Sequence, residues 1–273
     1  NYSILHIIFI NQFFQILGVL RDYLLFKSEV IVEKFDYKNS NSTYKNIFSY
    51  IWRPTWRTGM GILGSSGVTE FTGLILASYG HPAVASYLLS LRLLTFISAI
   101  SKAPFYSKLP VFAALRAKKN IKELALVTKR SLIISLSVFV SCVLMVLMFS
   151  EYILIFIDSN TSFVSKRFWN FMSLIWLLER NHAMHAQIYS TTNHIPFHKP
   201  IVLSGIINLT ILYFLLDSCG IWAVLIGHGI SNLLINNWYN VRLSLNSINQ
   251  NIIIYLSQTL LPFLVILILS LFI

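Results

Sequence analysis

Charge is scarce in this chain: 11% of its 273 residues are Asp, Glu, Lys or Arg, and only ten of those are acidic. Soluble domains carry roughly 25% charged residues, so a soluble globular fold is excluded. Cysteine is nearly missing as well. Cys142 lies in an apolar run and Cys219 in a short turn, which rules out a disulfide framework or a zinc knuckle. Neither a basic leader nor a small-residue cleavage site precedes the first apolar run, so the amino end does not read as a signal peptide. The chain begins at Asn1 rather than Met and is expected to be part of a longer protein. What is abundant is apolar surface: 56% hydrophobic residues, with 20 Phe, 13 Tyr and 6 Trp. That composition also excludes disorder. The remaining class is an integral membrane protein.

A spanning helix takes about 20 mostly apolar residues. Eight runs qualify: 4 to 20, 54 to 79, 83 to 104, 131 to 150, 167 to 190, 200 to 216, 221 to 241 and 252 to 272. Lipid offers the backbone no hydrogen-bond partner, and no sustained period-two alternation is present, so the runs predict helices and not a β-barrel. Threading them sorts the basic residues unevenly. Seventeen of the 21 Lys and Arg fall on one side, Lys166 and Arg167 on the other, and Arg92 and Arg180 lie within helices. The net charge of +11 therefore reads as topology and not as affinity for nucleic acid. The positive-inside rule puts the 17-charge side in the cytoplasm and the amino end outside. Two cytoplasmic loops are expected, over 21 to 53 and 105 to 130, and the basic stretch from Arg116 to Arg130 suits anionic lipid headgroups.

Charges at bilayer depth are costly and usually face a bundle interior or watery cavity. Glu70 and Arg92 lie eleven residues either side of His81, so in a helical hairpin they share a depth and are expected to pair. Glu179, Arg180, His182 and His185 occupy the middle of the fifth run, and the three-residue steps from Glu179 to His182 to His185 predict one polar stripe. These six are the candidate cavity residues. No HExxH pattern is present, and three residues on one helix make a poor tetrahedron, so no metal or other cofactor is expected. His228, Asn232 and Asn236 follow strict four-residue steps, and Asn208 and Asn237 add to the polar faces of the sixth and seventh runs. The first run, with His6, Asn11, Gln12 and Gln15, is expected to face protein or water, and the last to face lipid. The second reads Gly59, Gly61, Gly64, Gly67 and Gly73 after an expected start at Pro54, which predicts close helix approach or a hinge.

Several local patterns resemble one family. Ser101-Lys102-Ala103-Pro104 leading into Leu109-Pro110-Val111-Phe112-Ala113-Ala114-Leu115-Arg116 is similar to the helix exit and cytoplasmic loop of polysaccharide flippases, the O-antigen and teichoic-acid exporters related to multidrug antiporters. Tyr79-Gly80-His81-Pro82-Ala83 resembles their hairpin turn, Thr192-Asn193-His194-Ile195-Pro196-Phe197 the next cytoplasmic connection, and Gly220-Ile221-Trp222-Ala223 a short outer turn. Lys118-Lys119-Asn120 departs from the usual ending. The resemblance implies a two-lobe transporter of the bacterial cytoplasmic (inner) membrane. Residues 1 to 20 would be the last helix of a truncated amino lobe, 21 to 53 a linker, 54 to 241 a six-helix carboxyl lobe, and 242 to 273 an extra helix. It implies a lipid-linked oligosaccharide as substrate, membrane lipids as surroundings, a coupling proton or sodium ion, and no catalytic residue. An ion-coupled drug or metabolite antiporter using Glu70 or Glu179 is the alternative. A polysaccharide polymerase or acyltransferase with His182 or His185 as base is the second.

Overall fold

The computed structural model describes residue 13, residues 16 to 21, residue 24, and residues 41 to 80, 83 to 156 and 162 to 272; some side chains between 41 and 79, Glu70 among them, lie outside that description. The chain divides at Ile51/Trp52 into two compact units. In the first, residues 16 to 21 and 41 to 51 are helical. Most of the run from 4 to 20, including its polar residues His6, Asn11, Gln12 and Gln15, and the stretch from 25 to 40 fall outside the described residues.

The described residues form helices and no strand. They are α1 (Asn41–Tyr79), α2 (Val84–Tyr106), α3 (Leu109–Ala117), α4 (Ile121–Phe156), α5 (Lys166–Ser190), α6 (His198–Cys219), α7 (Trp222–Ser231), a π-helical turn (Asn232–Asn237), α8 (Trp238–Ser247), α9 (Ile252–Thr259), α10 (Leu261–Leu269) and a closing 3₁₀ turn (Ser270–Phe272). Among the described residues three helical stretches are long and apolar enough to cross a membrane: Val84–Ala117, Ile121–Ser150 and His198–Cys219. A fourth qualifies if α9 with the helix after it, bent by 45°, counts as one span. Large apolar side chains stand exposed on these helices, such as Phe96, Met148, Tyr213 and Phe214. A water-facing surface would not keep them.

Helix ends depart from the apolar runs. Helix α1 begins at Asn41 and passes through Pro54, which the sequence placed at its start. Proline forfeits one backbone bond but does not forbid continuation in this setting. The expected loop from 105 to 130 is mostly helical, because the basic residues after Asn120 extend α4 to 36 residues. The Asn120 side-chain oxygen accepts from the Glu123 amide (3.3 Å) and caps the start of that helix. The last run is not a bare lipid-facing helix either. It breaks at Leu260, before Pro262, and buries Tyr255, Thr259, Leu267 and Ser270. Asn170 on α5 donates to the Ser270 carbonyl (2.9 Å) and accepts from its hydroxyl (3.3 Å), tying the segment to the bundle.

The buried core is shared by α2, α4 and α5, with Leu94, Phe105, Leu132, Phe139, Trp169 and Met172 fully or almost fully enclosed. Small residues set two tight crossings. A Cβ on Gly205 would stand 2.7 Å from Val68, and one on Gly227 would stand 2.9 Å from the backbone oxygen of Asn208. The α1 glycines at 61 and 64 face Ile201 on α6, whereas Gly59 and Gly73 have open space. Gly227→Ala should therefore lower the unfolding free energy by about 1–3 kcal/mol, because rigid backbone must shift. Gly73→Ala should leave stability level or slightly raised. Thermal unfolding of the purified protein in detergent measures both, and an equal response of the two variants would mean the crossing tolerates a methyl group.

Candidate functional site

A cavity of about 720 Å³ lies within the second unit between α1, α2, α5, α6, α7 and α8. Basic groups from three of these helices line it. Arg57 comes from α1, Lys102 and Tyr106 from the late part of α2, and His198 from the start of α6, where its ring meets Trp56 edge-on at 5.3 Å. Amides and hydroxyls line it as well: Ser98, Ser204, Asn208, Ser231, Asn232, Asn236 and Asn240. Trp176 supplies an aromatic face, stacked on His228 at 4.9 Å with 27° between the planes.

Among the described residues one carboxylate organises this wall. Glu179 Oε2 accepts from His182 Nε2 (2.8 Å) and from Asn232 Nδ2 (2.7 Å), and His228 Nε2 stands 3.7 Å away. His182 has both ring nitrogens engaged, since Asn240 Nδ2 donates to its Nδ1 (3.2 Å). The π-helical turn makes the asparagine wall possible. Its wider turn lets Asn237 donate to Asn232, five residues earlier, and to the Leu178 carbonyl (3.1 Å), while Asn236 reaches Ser204 (2.9 Å). Asn181 donates to Asn237 Oδ1 (3.0 Å) and closes the contact between α5 and that turn.

Arg180 is 3% exposed and lines the same cavity. Its Nη1 donates to Ser98 (3.3 Å) and the Tyr106 hydroxyl stands beside the guanidinium, while Nε and Nη2 have no geometric hydrogen bond among the described residues. A buried guanidinium with free donors is costly, and such orphaned groups point to a missing acceptor. Among the described charged side chains on the wall, Arg57, Lys102 and Arg180 stand against Glu179, leaving the cavity cationic.

Of the six candidate residues, Glu179, Arg180 and His182 come together on this wall. His185 does not: six residues at 100° each rotate it about 120° from Glu179, so the single stripe is corrected to two faces. It is fully buried away from the cavity, with Nδ1 at 3.0 Å from Ser244 and its ring 5.8 Å from Tyr255. Arg92 is exposed on α2 and does not line the cavity; Thr95, Ser98, Lys102 and Tyr106 are the α2 residues that do. The Glu70 side chain lies outside the described residues, and its expected pairing with Arg92 with it. Sequence reasoning missed Arg57, Lys102 and His198 as lining residues. It also missed Asn240, although this residue continues the four-residue series from His228, Asn232 and Asn236.

A further arginine was legible only as a basic residue. Arg116, at the end of α3, donates from Nε to Thr191 Oγ1 (2.6 Å), from Nη1 to the Ser247 carbonyl (3.1 Å) and from Nη2 to the Ser247 hydroxyl (3.1 Å). It fastens the ends of α5 and α8, the helices that carry Glu179 and Asn240. Among the described residues no group of three or more His, Cys, Asp or Glu side chains is arranged to hold a metal ion. No protein-family model matches the chain, and no curated protein or solved structure matches it.

Proposed function

We propose that this chain forms the carboxyl lobe of a two-lobe transporter that flips a lipid-linked oligosaccharide across the bacterial cytoplasmic membrane by alternating access. In this reading eight spans cross the bilayer, the amino end lies outside and the basic connections face the cytoplasm. No covalent chemistry is required. The observation that carries the reading is Arg180: a buried guanidinium beside Ser98 and Tyr106, with donors left over, on the wall of a cationic cavity. Planar donors of this kind match phosphate oxygens, and the amide and hydroxyl groups of the lining suit a polyhydroxylated head group. The exposed apolar faces of α2, α4 and α6 leave room for the lipid tail in the bilayer.

Reconstitution tests it. Liposomes containing the full-length protein should flip a fluorescent prenyl-diphosphate disaccharide between leaflets, and protein-free liposomes should not. Equal rates in the two would end the flippase reading. An ion-coupled antiporter for cationic drugs or metabolites is the second reading, favoured by the partly exposed Glu179 carboxylate on the cavity wall. It expects gradient-driven efflux of a cationic dye from the same liposomes. In the polymerase or acyltransferase reading the base that meets substrate would be His182, which lines the cavity, since His185 is buried away from it.

A further inference from the structure

We infer that Glu179 is the specificity-determining residue of the cavity: its second carboxylate oxygen accepts a hydrogen bond from a free hydroxyl of the sugar next to the diphosphate. The inference rests on the anion-carrying reading of the cavity. The two oxygens of Glu179 are used unequally. Oε2 takes the bonds from His182 (2.8 Å) and Asn232 (2.7 Å), and His228 stands nearest to the same atom at 3.7 Å. Oε1 has no hydrogen bond among the described residues, and it is not enclosed, because the side chain is partly exposed on the cavity wall. A carboxylate oxygen can only accept, so whatever meets Oε1 has to donate.

Arg180, the next residue on α5, lines the same cavity. A ligand that brings phosphate oxygens to the guanidinium therefore places its neighbouring group beside a carboxylate. In an aqueous cavity that oxygen is bonded by water, and a ligand group that displaces the water without donating loses affinity. A hydroxyl is accepted there, whereas a group that only accepts, or that carries negative charge, is turned away.

The surrounding network fixes what a substitution at this position does. The Leu178 carbonyl can only accept, so Asn237 turns its Nδ2 toward it, and the same Nδ2 donates to Asn232 Oδ1. Asn232 is thereby held with its own Nδ2 toward Glu179. In Glu179→Gln the amide oxygen has to take the bonds from Asn232 and His182, which leaves the amide nitrogen facing the cavity. The variant keeps its internal hydrogen bonds and exchanges an acceptor for a donor at the one atom that meets the ligand.

The probes are citronellyl diphosphoglucose and its four analogues in which the 2-, 3-, 4- or 6-hydroxyl is replaced by fluorine, which cannot donate. All five carry the same charge. With full-length protein in detergent, at least one analogue should bind about tenfold or more weaker than the parent, as expected for a lost hydrogen bond to a charged group. Glu179→Gln should bring that analogue to within about threefold of the parent, since a hydroxyl can accept as well as donate and the amide nitrogen tolerates fluorine. Arg180→Gln should weaken parent and analogues alike. Equal binding of all five probes by the wild-type protein, or a penalty that persists unchanged in Glu179→Gln, overturns the inference while leaving the cavity reading intact. No binding of the parent probe sinks both.

Discussion

Arg180→Gln should lower transport in reconstituted liposomes by about thirtyfold or more while leaving the protein as stable as before, or more stable. The two halves of this expectation come from one fact. Arg180 is almost completely enclosed, yet Ser98 and the Tyr106 hydroxyl engage only part of its five donors. Removing one partner of a buried charged hydrogen-bond pair costs about 2–5 kcal/mol, which is thirtyfold at its lower end. Without ligand, however, the guanidinium is a desolvated charge with idle donors, and replacing it relieves that cost. A purely structural arginine would behave the other way, losing stability and activity together. Arg180→Lys should keep part of the transport, since the charge stays and the planar fork goes. The antiporter reading ranks the variants differently, with Glu179→Gln inactive and Arg180→Gln tolerated. Normal flipping by Arg180→Gln, at wild-type abundance, would remove the cationic cavity as the mechanism.

The second large effect is on stability. Arg116→Ala should lower the unfolding free energy by about 3 kcal/mol, since hydrogen bonds to charged groups are worth about 1.5–3 kcal/mol each and the three here share one half-buried side chain. Arg116→Lys should recover less than half, because one ammonium cannot reach Thr191 and both Ser247 oxygens in fork geometry. Thermal unfolding in detergent gives the magnitude. Proteolysis should show its location, with cleavage after Thr191 appearing first. If Arg116→Ala unfolds at the wild-type temperature, the three contacts do not hold α5 and α8 together.

How much of this was visible in the sequence differs between the helices and the site. The apolar runs from 83, 131, 167, 200, 221 and 252 each coincide with helix, because run length and backbone self-satisfaction decide where a helix of this class forms. Helix ends were less legible, since hydrogen bonding continues where apolarity stops: α1 starts at Asn41, and α4 takes in Lys122, Lys129 and Arg130. Of the site, depth and charge pointed to Glu179, Arg180 and His182, while helical rotation removed His185 and position along α2 removed Arg92. The Arg116 contacts could not be read at all, as its partners stand 75 and 131 residues away. Nor could the π turn, within which Asn237 reaches Asn232 and the Leu178 carbonyl behind the cavity-lining asparagines.

The length of α4 carries a consequence for the setting in which the protein works. At 36 residues and 1.5 Å each it measures about 54 Å, against a hydrocarbon layer of about 30 Å. Its apolar stretch begins at Ser131, so the surplus lies mainly in the first ten residues, together with Lys118 and Lys119 just before them. In a bilayer that collar of five basic side chains would float at headgroup height like a mooring ring on a post, free to slide but held by phosphate. Membrane thickness and the abundance of anionic lipid would then set the vertical seat of the whole bundle, and with it how far the cavity stands from the water.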